Sequence, residues 1–562
     1  MPLLEITNLS FTYAGAEKPA LQDVSLCLEP GDFALLTGRT GCGKSTLLRQ
    51  IKRELTPRGD RTGQVLFQGQ ALEDLSPRES AARIGFVFQR PEEQIVTDRV
   101  WHELAFGLES LGVPGDVMRR RVAEAAQFFG LEDCFDLSPD QLSGGRKQLL
   151  NLAAATVMEP DLLVLDEPAA HLDPIAAKTF LAALERLNRE TGMAILLAEH
   201  RLEDSLSRAG RFFLMEEGRI TEGGTPREVC GRLAPGSSAE GALPAAARLW
   251  RGTGRIGDCP LSTGEGRAWV LRRFPAAAGP AEARETAAAN SRKAPFLRCA
   301  PEKQSPPPAL SFRETWFRFS REGSDILRSL NLDVRQGEIF AVLGGNGSGK
   351  TTLLRAAAGL ISPSGGEIRL FGKRIREYRH GTLRQEGVAL LPQDVQTLFL
   401  RASVREELKD SGLKPEDLPF DLSPLLDRHP YDLSGGEQQL LGLSKVLAVR
   451  PRLLLLDEPA GSLDAEWRKN LRLLLQRLRE QGITILLVTH DAEFAAETAD
   501  RCGLLFRGRM EAASEPHAFF AGGSYYTTSV SRMLPGCITV AEAVERLTEP
   551  GASSGPGNAA EG

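Results

Sequence analysis

The sequence predicts an α/β protein made of two tandem P-loop domains, and three observations carry that reading. A loop of the form G-x-x-x-x-G-K-[ST] occurs twice, as Gly38-Arg39-Thr40-Gly41-Cys42-Gly43-Lys44-Ser45 and as Gly344-Gly345-Asn346-Gly347-Ser348-Gly349-Lys350-Thr351. Each loop follows an apolar run (Phe33-Ala34-Leu35-Leu36; Ile339-Phe340-Ala341-Val342-Leu343) and precedes helix-forming residues (Thr46-Leu47-Leu48; Thr352-Leu353-Leu354). The remaining motifs of the first half then recur, in order, in the second, which marks duplication of a large domain.

The loop chemistry follows from residue type. Glycines let successive backbone N–H groups converge on one anion, and the helix N-terminus adds a favourable field. Lys44 and Lys350 can reach the outer phosphates of a nucleotide, and the hydroxyls of Ser45 and Thr351 can ligate Mg²⁺. Gly38, Gly41 and Gly43 with Thr46, and Gly344, Gly347 and Gly349 with Thr352, complete the phosphate-binding candidates.

The chain has 562 residues, with 42% hydrophobic and 25% charged side chains, as expected of globular domains each large enough to bury a core. A net charge of −6 offers no general attraction to nucleic acid, so no nucleic-acid partner is expected. The eight cysteines are scattered without a Cys-x-x-Cys pair, which argues against a zinc or iron–sulfur site and fits a reducing cytosol. No uncharged apolar run approaches a bilayer-spanning length, and the N-terminus lacks a signal-peptide pattern. A soluble protein is expected, so a role at a membrane requires partners that supply the spans.

Taken in order, each half opens with aromatic residues, Phe11-Thr12-Tyr13 and Phe317-Arg318-Phe319. Tyr13 and Phe319 stand equally far before their loops, and either ring could stack on a nucleobase. After each loop an apolar strand ends on glutamine, Gln89 in Phe86-Val87-Phe88-Gln89 and Gln393 in Ala389-Leu390-Leu391-Pro392-Gln393; the amide could sense Mg²⁺ and an attacking water. Val100-Trp101-His102-Glu103-Leu104-Ala105-Phe106 then has helical apolar spacing, suiting either a local core face or a docking surface for another protein. Ser143-Gly144-Gly145 and Ser434-Gly435-Gly436 offer a hydroxyl and bare N–H groups at a helix start. At equal distances beyond, buried-looking strands end in Asp166-Glu167 and Asp457-Glu458. The aspartate can hold a Mg²⁺ hydration shell, and the glutamate can polarise a water. Leu172-Asp173 and Leu463-Asp464 follow, and two further strands end in His200 and His490, which can reach a γ-phosphate.

Together these residues resemble the ATP-binding-cassette (ABC) ATPases in every motif, twice: aromatic loop, Walker A, Q-loop, signature, Walker B with glutamate, D-loop and H-loop. The resemblance covers roughly residues 3–230 and 309–520. It implies that each domain has a parallel-sheet core, an antiparallel β subdomain and a helical subdomain. It also implies ATP and Mg²⁺ as ligands. Ser45, Gln89 and Asp166, with Thr351, Gln393 and Asp457, fall at the metal positions, and Glu167, His200, Glu458 and His490 at the catalytic ones. In the family two cassettes close head to tail, so the Ser143 turn would complete the second site and the Ser434 turn the first. One chain can then form the pair without homodimerising.

A finer resemblance lies in Phe88-Gln89-Arg90-Pro91-Glu92-Glu93-Gln94-Ile95-Val96, Leu104-Ala105-Phe106-Gly107-Leu108-Glu109, Glu199-His200-Arg201-Leu202-Glu203 and Tyr525-Tyr526-Thr527-Thr528. These stretches resemble the ATPase of energy-coupling-factor (ECF) importers in its fused, two-cassette form. This implies a peripheral protein at the cytoplasmic face of the membrane. Its partners would be an integral coupling (T) subunit and a substrate-capture (S) subunit. Other ABC transporter classes, and tandem cassettes acting on ribosomes or DNA, are the alternatives. Departures between the halves include Arg146-Lys147-Gln148 against Glu437-Gln438-Gln439 and His171 against Ser462, and the second half is shorter between Gln393 and Ser434.

The expected domains are 3–232 and 310–522. The intervening stretch, rich in Ala, Gly, Pro and Arg, reads as a mostly flexible tether with a small ordered island at Trp269-Val270-Leu271. Residues 523–562 read as a partly disordered tail.

Overall fold

A computed structural model of the chain describes residues 1–275, apart from 171 and 238, and 308–549, apart from 321–322, 379–382, 384, 415–419, 462, 522 and 524–525. The D-loop contrast between His171 and Ser462, Tyr525, most of the second half of the predicted tether and the tail beyond 549 lie outside the described residues. Contacts divide the chain into two compact units, Met1–Arg248 with Arg255–Ser262, and Leu249–Gly254 with Thr263 onward.

In the first unit the strands are β1 Leu4–Tyr13, β2 Leu21–Leu28, β3 Phe33–Gly38, β4 Gly59–Phe67, β5 Gln70–Ala71, β6 Ile84–Val87, β7 Leu162–Asp166, β8 Ala194–Ala198, β9 Arg211–Glu216 and β10 Arg219–Gly224. They form an antiparallel sheet in the order β2-β1-β4-β5 and a six-stranded sheet in the order β10-β9-β3-β8-β7-β6. The second sheet is parallel except where β10 pairs with β9. Its inner strands are apolar throughout (Phe33-Ala34-Leu35-Leu36, Leu162–Leu165, Ala194–Ala198) because both faces are covered, as parallel sheets require. The two sheets share one apolar core. Helices Val100–Ser110, Gly115–Phe129 and Gly144–Thr156 pack on one another as the helical subdomain.

The second unit repeats the plan. Its strands are β11 Leu310–Phe317, β12 Leu327–Val334, β13 Ile339–Leu343, β14 Gly365–Leu370, β15 Lys373–Arg374, β16 Val388–Leu391, β17 Leu453–Asp457, β18 Thr484–Val488, β19 Arg501–Phe506 and β20 Arg509–Ser514. The sheet orders are β12-β11-β14-β15 and β16-β17-β18-β13-β19-β20. The shorter helical subdomain pairs Val404–Asp410 with Gly435–Leu447.

The tether expectation needs correction over its described part. Helices Ala245–Gly252 and Thr263–Arg273 form there, with Ala245, Ala246, Ala247, Leu249, Trp250, Trp269 and Val270 buried. Alanine is the best helix former, so an Ala-rich stretch with a Leu or Trp each turn can order once that face is covered. Trp269 belongs to a full helix rather than an isolated island. Part of the tail is ordered as well. Helices Ser529–Met533 and Val540–Thr548 pack in the second unit, the first against Thr263–Arg273. A Cβ on Gly252 would come within 2.5 Å of Val544, so that contact is close.

Candidate nucleotide sites

Parallel strands aim their C-terminal ends at one edge of the sheet, where open α/β folds bind ligands. In the first unit that edge receives Gly38 from β3, Gln89 after β6, Asp166 and Glu167 from β7, and Glu199 and His200 after β8. The helix Lys44–Gln50 starts from Gly43, whose φ of +107° only glycine adopts without strain. A Cβ on Gly38 would lie 2.1 Å from Met215 O, so this strand end must also be bare. The second loop matches, with Gly349 at φ +105° and a Gly344 Cβ 2.5 Å from Leu505 O.

Lys44 closes its own loop, its Nζ donating to Gly38 O at 3.0 Å and Arg39 O at 3.2 Å. Lys350 does the same to Gly344 O at 2.9 Å and Gly345 O at 3.2 Å. Ser45 Oγ donates to Asp166 Oδ1 at 3.0 Å, and Thr351 is hydrogen bonded to Asp457. Burial pushes both aspartates up to about 6, with the adjacent glutamate adding to the rise in each. A hydroxyl and a carboxylate, with the Gln89 amide near by, are hard oxygen donors that fit Mg²⁺, an ion that keeps several waters and takes few protein ligands. Among the described residues no group of three or more His, Cys, Asp or Glu side chains is placed to hold a metal ion.

Glu167 sits between His200, Lys44 and Gln89. His200 Nε2 lies 2.7 Å from its Oε1, Lys44 Nζ 3.5 Å from the same oxygen, and Gln89 Nε2 donates to Oε2 at 3.4 Å. Burial opposes its charge, but His200 and Lys44 outweigh burial and hold the carboxyl down to about 2. Glu458 is likewise lowered, against burial, by His490 and Lys350. His490 Nδ1 is 3.0 Å from Oε2, and Lys350 Nζ 3.8 Å from Oε1. Both glutamates have left-handed backbones, φ +47° and +50°, although a proline follows each. Such strain costs about 1–3 kcal/mol per residue and persists where surrounding structure imposes it. Here the imposing contacts include the N–H bonds of Glu167 to Ala198 O and of Glu458 to Val488 O.

The halves differ elsewhere. Tyr13 Oη pairs with Thr46 Oγ1 at 2.9 Å, whereas Phe319 has no hydroxyl and its ring is largely exposed. Gln393 is exposed, while Gln89 reaches its glutamate. Ser434 caps its helix reciprocally with Glu437, whereas Ser143, followed by Arg146 at that position, makes no side-chain cap. Sequence reading named Glu103, Tyr526 and Glu199 only within longer stretches and assigned them, and Glu407, no role. Buried Glu103 accepts from Val96 N and Thr97 N, and buried Glu407 from Leu400 N and Arg401 N, fixing the segment after each glutamine. Tyr526 Oη lies 3.5 Å from where a Gly345 Cβ would sit, so the tail reaches the second loop. Glu199 joins two loops of the first site. The carboxylates at 103 and 407, each early in its helix, are the one repeated signal that was available.

The fold and paired sites define a tandem nucleoside-triphosphatase. The ABC transporter family profile matches residues 21–170 and 327–461. The chain is 39% identical over 544 residues to a putative ABC transporter ATP-binding protein of Bacillus thuringiensis subsp. konkukian, covering 94% of this chain and 95% of that one. It is 35% identical over 573 residues to another from Streptomyces coelicolor, covering 97% and 100%. A solved structure of cbiO1 from Clostridium perfringens, part of the ABC transporter complex cbiONQ, is 31% identical, with a TM-score of 0.38, covering 41% of this chain and 91% of that one. The chain belongs to the ABC transporter family. It is an ATP-binding ATPase with two cassettes.

Proposed function

We propose that the chain powers import of a small solute, such as a vitamin, a vitamin precursor or a metal ion, as the ATPase of an ECF-type transporter. The observation that carries this reading is an apolar surface coupled to the first site through the segment after its glutamine. In the first cassette Gln94 binds back to Phe88 N and Phe86 O, both at 3.1 Å, beside the Gln89 that touches Glu167. From there Val96 (65% exposed), Trp101 and Phe106 face outward. Leu400 (79% exposed) follows Gln393 in the same relation to buried Glu407 as Val96 has to Glu103. Large apolar side chains so exposed suit a protein partner. Among the described residues no helix is long and apolar enough to cross a membrane, and this reading assigns the spans to a coupling subunit and a substrate-capture subunit. The site of action would be the cytoplasmic face of the membrane.

In each cassette the lysine leaves its own loop carbonyls for the outer phosphates, exchanging neutral acceptors for charged ones. Mg²⁺, held by Ser45 and Asp166 and by Thr351 and Asp457, would neutralise charge on those phosphates. Glu167 and Glu458 orient a water and accept its proton as it attacks. His200 and His490 hold each glutamate ionised and aimed.

Gentle affinity purification from detergent-solubilised native membranes tests the partners. Two integral membrane proteins should co-purify, and a V96E/W101E/L400E variant should lose them while still hydrolysing ATP. Ribosomes or DNA-repair proteins, with nothing from the membrane, would contradict the transporter reading.

A further inference from the structure

Glu199 belongs to no motif of the hydrolytic machinery, yet it is 5% exposed at the heart of the first site. It follows β8 and precedes His200. Its N–H donates to Leu36 O at 3.0 Å, and its carbonyl accepts from Thr37 Oγ1 at 2.8 Å, so its backbone is fixed to the strand that feeds the phosphate loop. The side chain turns the other way. Its Oε1 accepts from Ala169 N at 3.3 Å, in the turn that leaves Glu167 and Pro168. One side chain thus bridges the loop that carries His200 and the turn that carries Glu167, beside their own 2.7 Å contact.

A buried carboxyl is costly unless it is neutral or well bonded. Burial, with the charges of Glu167 and Asp166, pushes Glu199 up to about 8, against Ala169 N–H and Arg201. A neutral carboxyl still offers Ala169 an acceptor and adds no third negative charge beside Asp166 and Glu167. The second cassette has Thr489 at this place, and its hydroxyl accepts from Asp491 N at 3.1 Å within its own loop.

We propose that Glu199 is a positioning residue of the first site, tying the turn after Glu167 to the His200 loop so that the two side chains keep their register. The two sites then depend on different supports, and Glu199 acts on only one of them. This rests on the reading of Glu167 as the residue that activates water.

The test uses the full chain with E458Q, so that turnover reports the first site. E199A and E199T should each lower kcat about ten-fold while KM for ATP stays within about two-fold, since misaligning one catalytic group removes part of its contribution. E199Q keeps an acceptor for Ala169 N and should restore most of the rate. In the E167Q chain, which reports the second site, E199T should change nothing. Parental kcat in E199T, or an equal loss in both backgrounds, would overturn the proposal. E199T decides the matter if E199A does not fold. Full turnover in the E167Q/E458Q chain would instead remove the reading on which the proposal rests.

Discussion

His200 Nε2 lies 2.7 Å from Glu167 Oε1, and the same ring nitrogen is 3.3 Å from Lys44 Nζ. Lysine, histidine and glutamate of three separate motifs thus meet at one point. The second cassette repeats the meeting through His490, Glu458 and Lys350. The glutamate's charge is thus tied to the lysine and histidine beside it.

The lysines test that coupling first. A charge-assisted bond to phosphate contributes about 1.5–3 kcal/mol, so K44A or K350A should weaken ATP at its own site about ten- to a hundred-fold. Titration calorimetry should resolve one weakened and one intact site in each single variant. Unchanged affinity at both would contradict the assignment.

The aromatic positions predict smaller effects. Stacking on a base contributes about 1 kcal/mol, so Y13A or F319A should raise the Kd of its site about five-fold. Y13F, which loses only the bond to Thr46 Oγ1, should change it less. A fluorescent ATP analogue would show the difference, and a Y13F as weak as Y13A would place the effect in the hydroxyl rather than the ring.

Glu199 predicts a pH dependence of stability. Its folded-state value of about 8 lies above the ordinary 4.5, with Glu167, Asp166 and Arg201 as the charged groups around it. Between those values the folded chain binds more protons than the unfolded one, so stability falls as pH rises from about 4.5 and levels off above about 8. E199Q removes that slope. Its Tm should gain on the parent's between about pH 5 and pH 8, and parallel Tm profiles would contradict the buried neutral carboxyl.

The duplicated motifs were readable because phosphate loops and strand-end carboxylates need particular residue types at fixed spacing. Lys44, Asp166, Glu167 and His200 accordingly meet at one sheet edge, as do their counterparts. Tertiary consequences were less visible. Ala245, Ala246, Ala247, Leu249 and Trp250 bury one helical face, but composition alone made that stretch look like a tether, because what covers the face lies elsewhere in the chain. Glu199 was legible only as part of the Glu199-His200-Arg201-Leu202-Glu203 stretch, by resemblance and without a role. Its meaning comes from Ala169, a residue with no side-chain signal. Tyr526 was legible in the Tyr525-Tyr526-Thr527-Thr528 stretch by resemblance, but its approach to Gly345 was not.

The central claim is that Glu167 and Glu458 carry hydrolysis at two sites. Steady-state ATP turnover of the E167Q/E458Q chain, alongside its ATP affinity, tests it most directly. The account predicts retained binding and turnover lowered at least about a hundred-fold, the contribution of a positioned general base. Near-normal turnover with normal binding would contradict it.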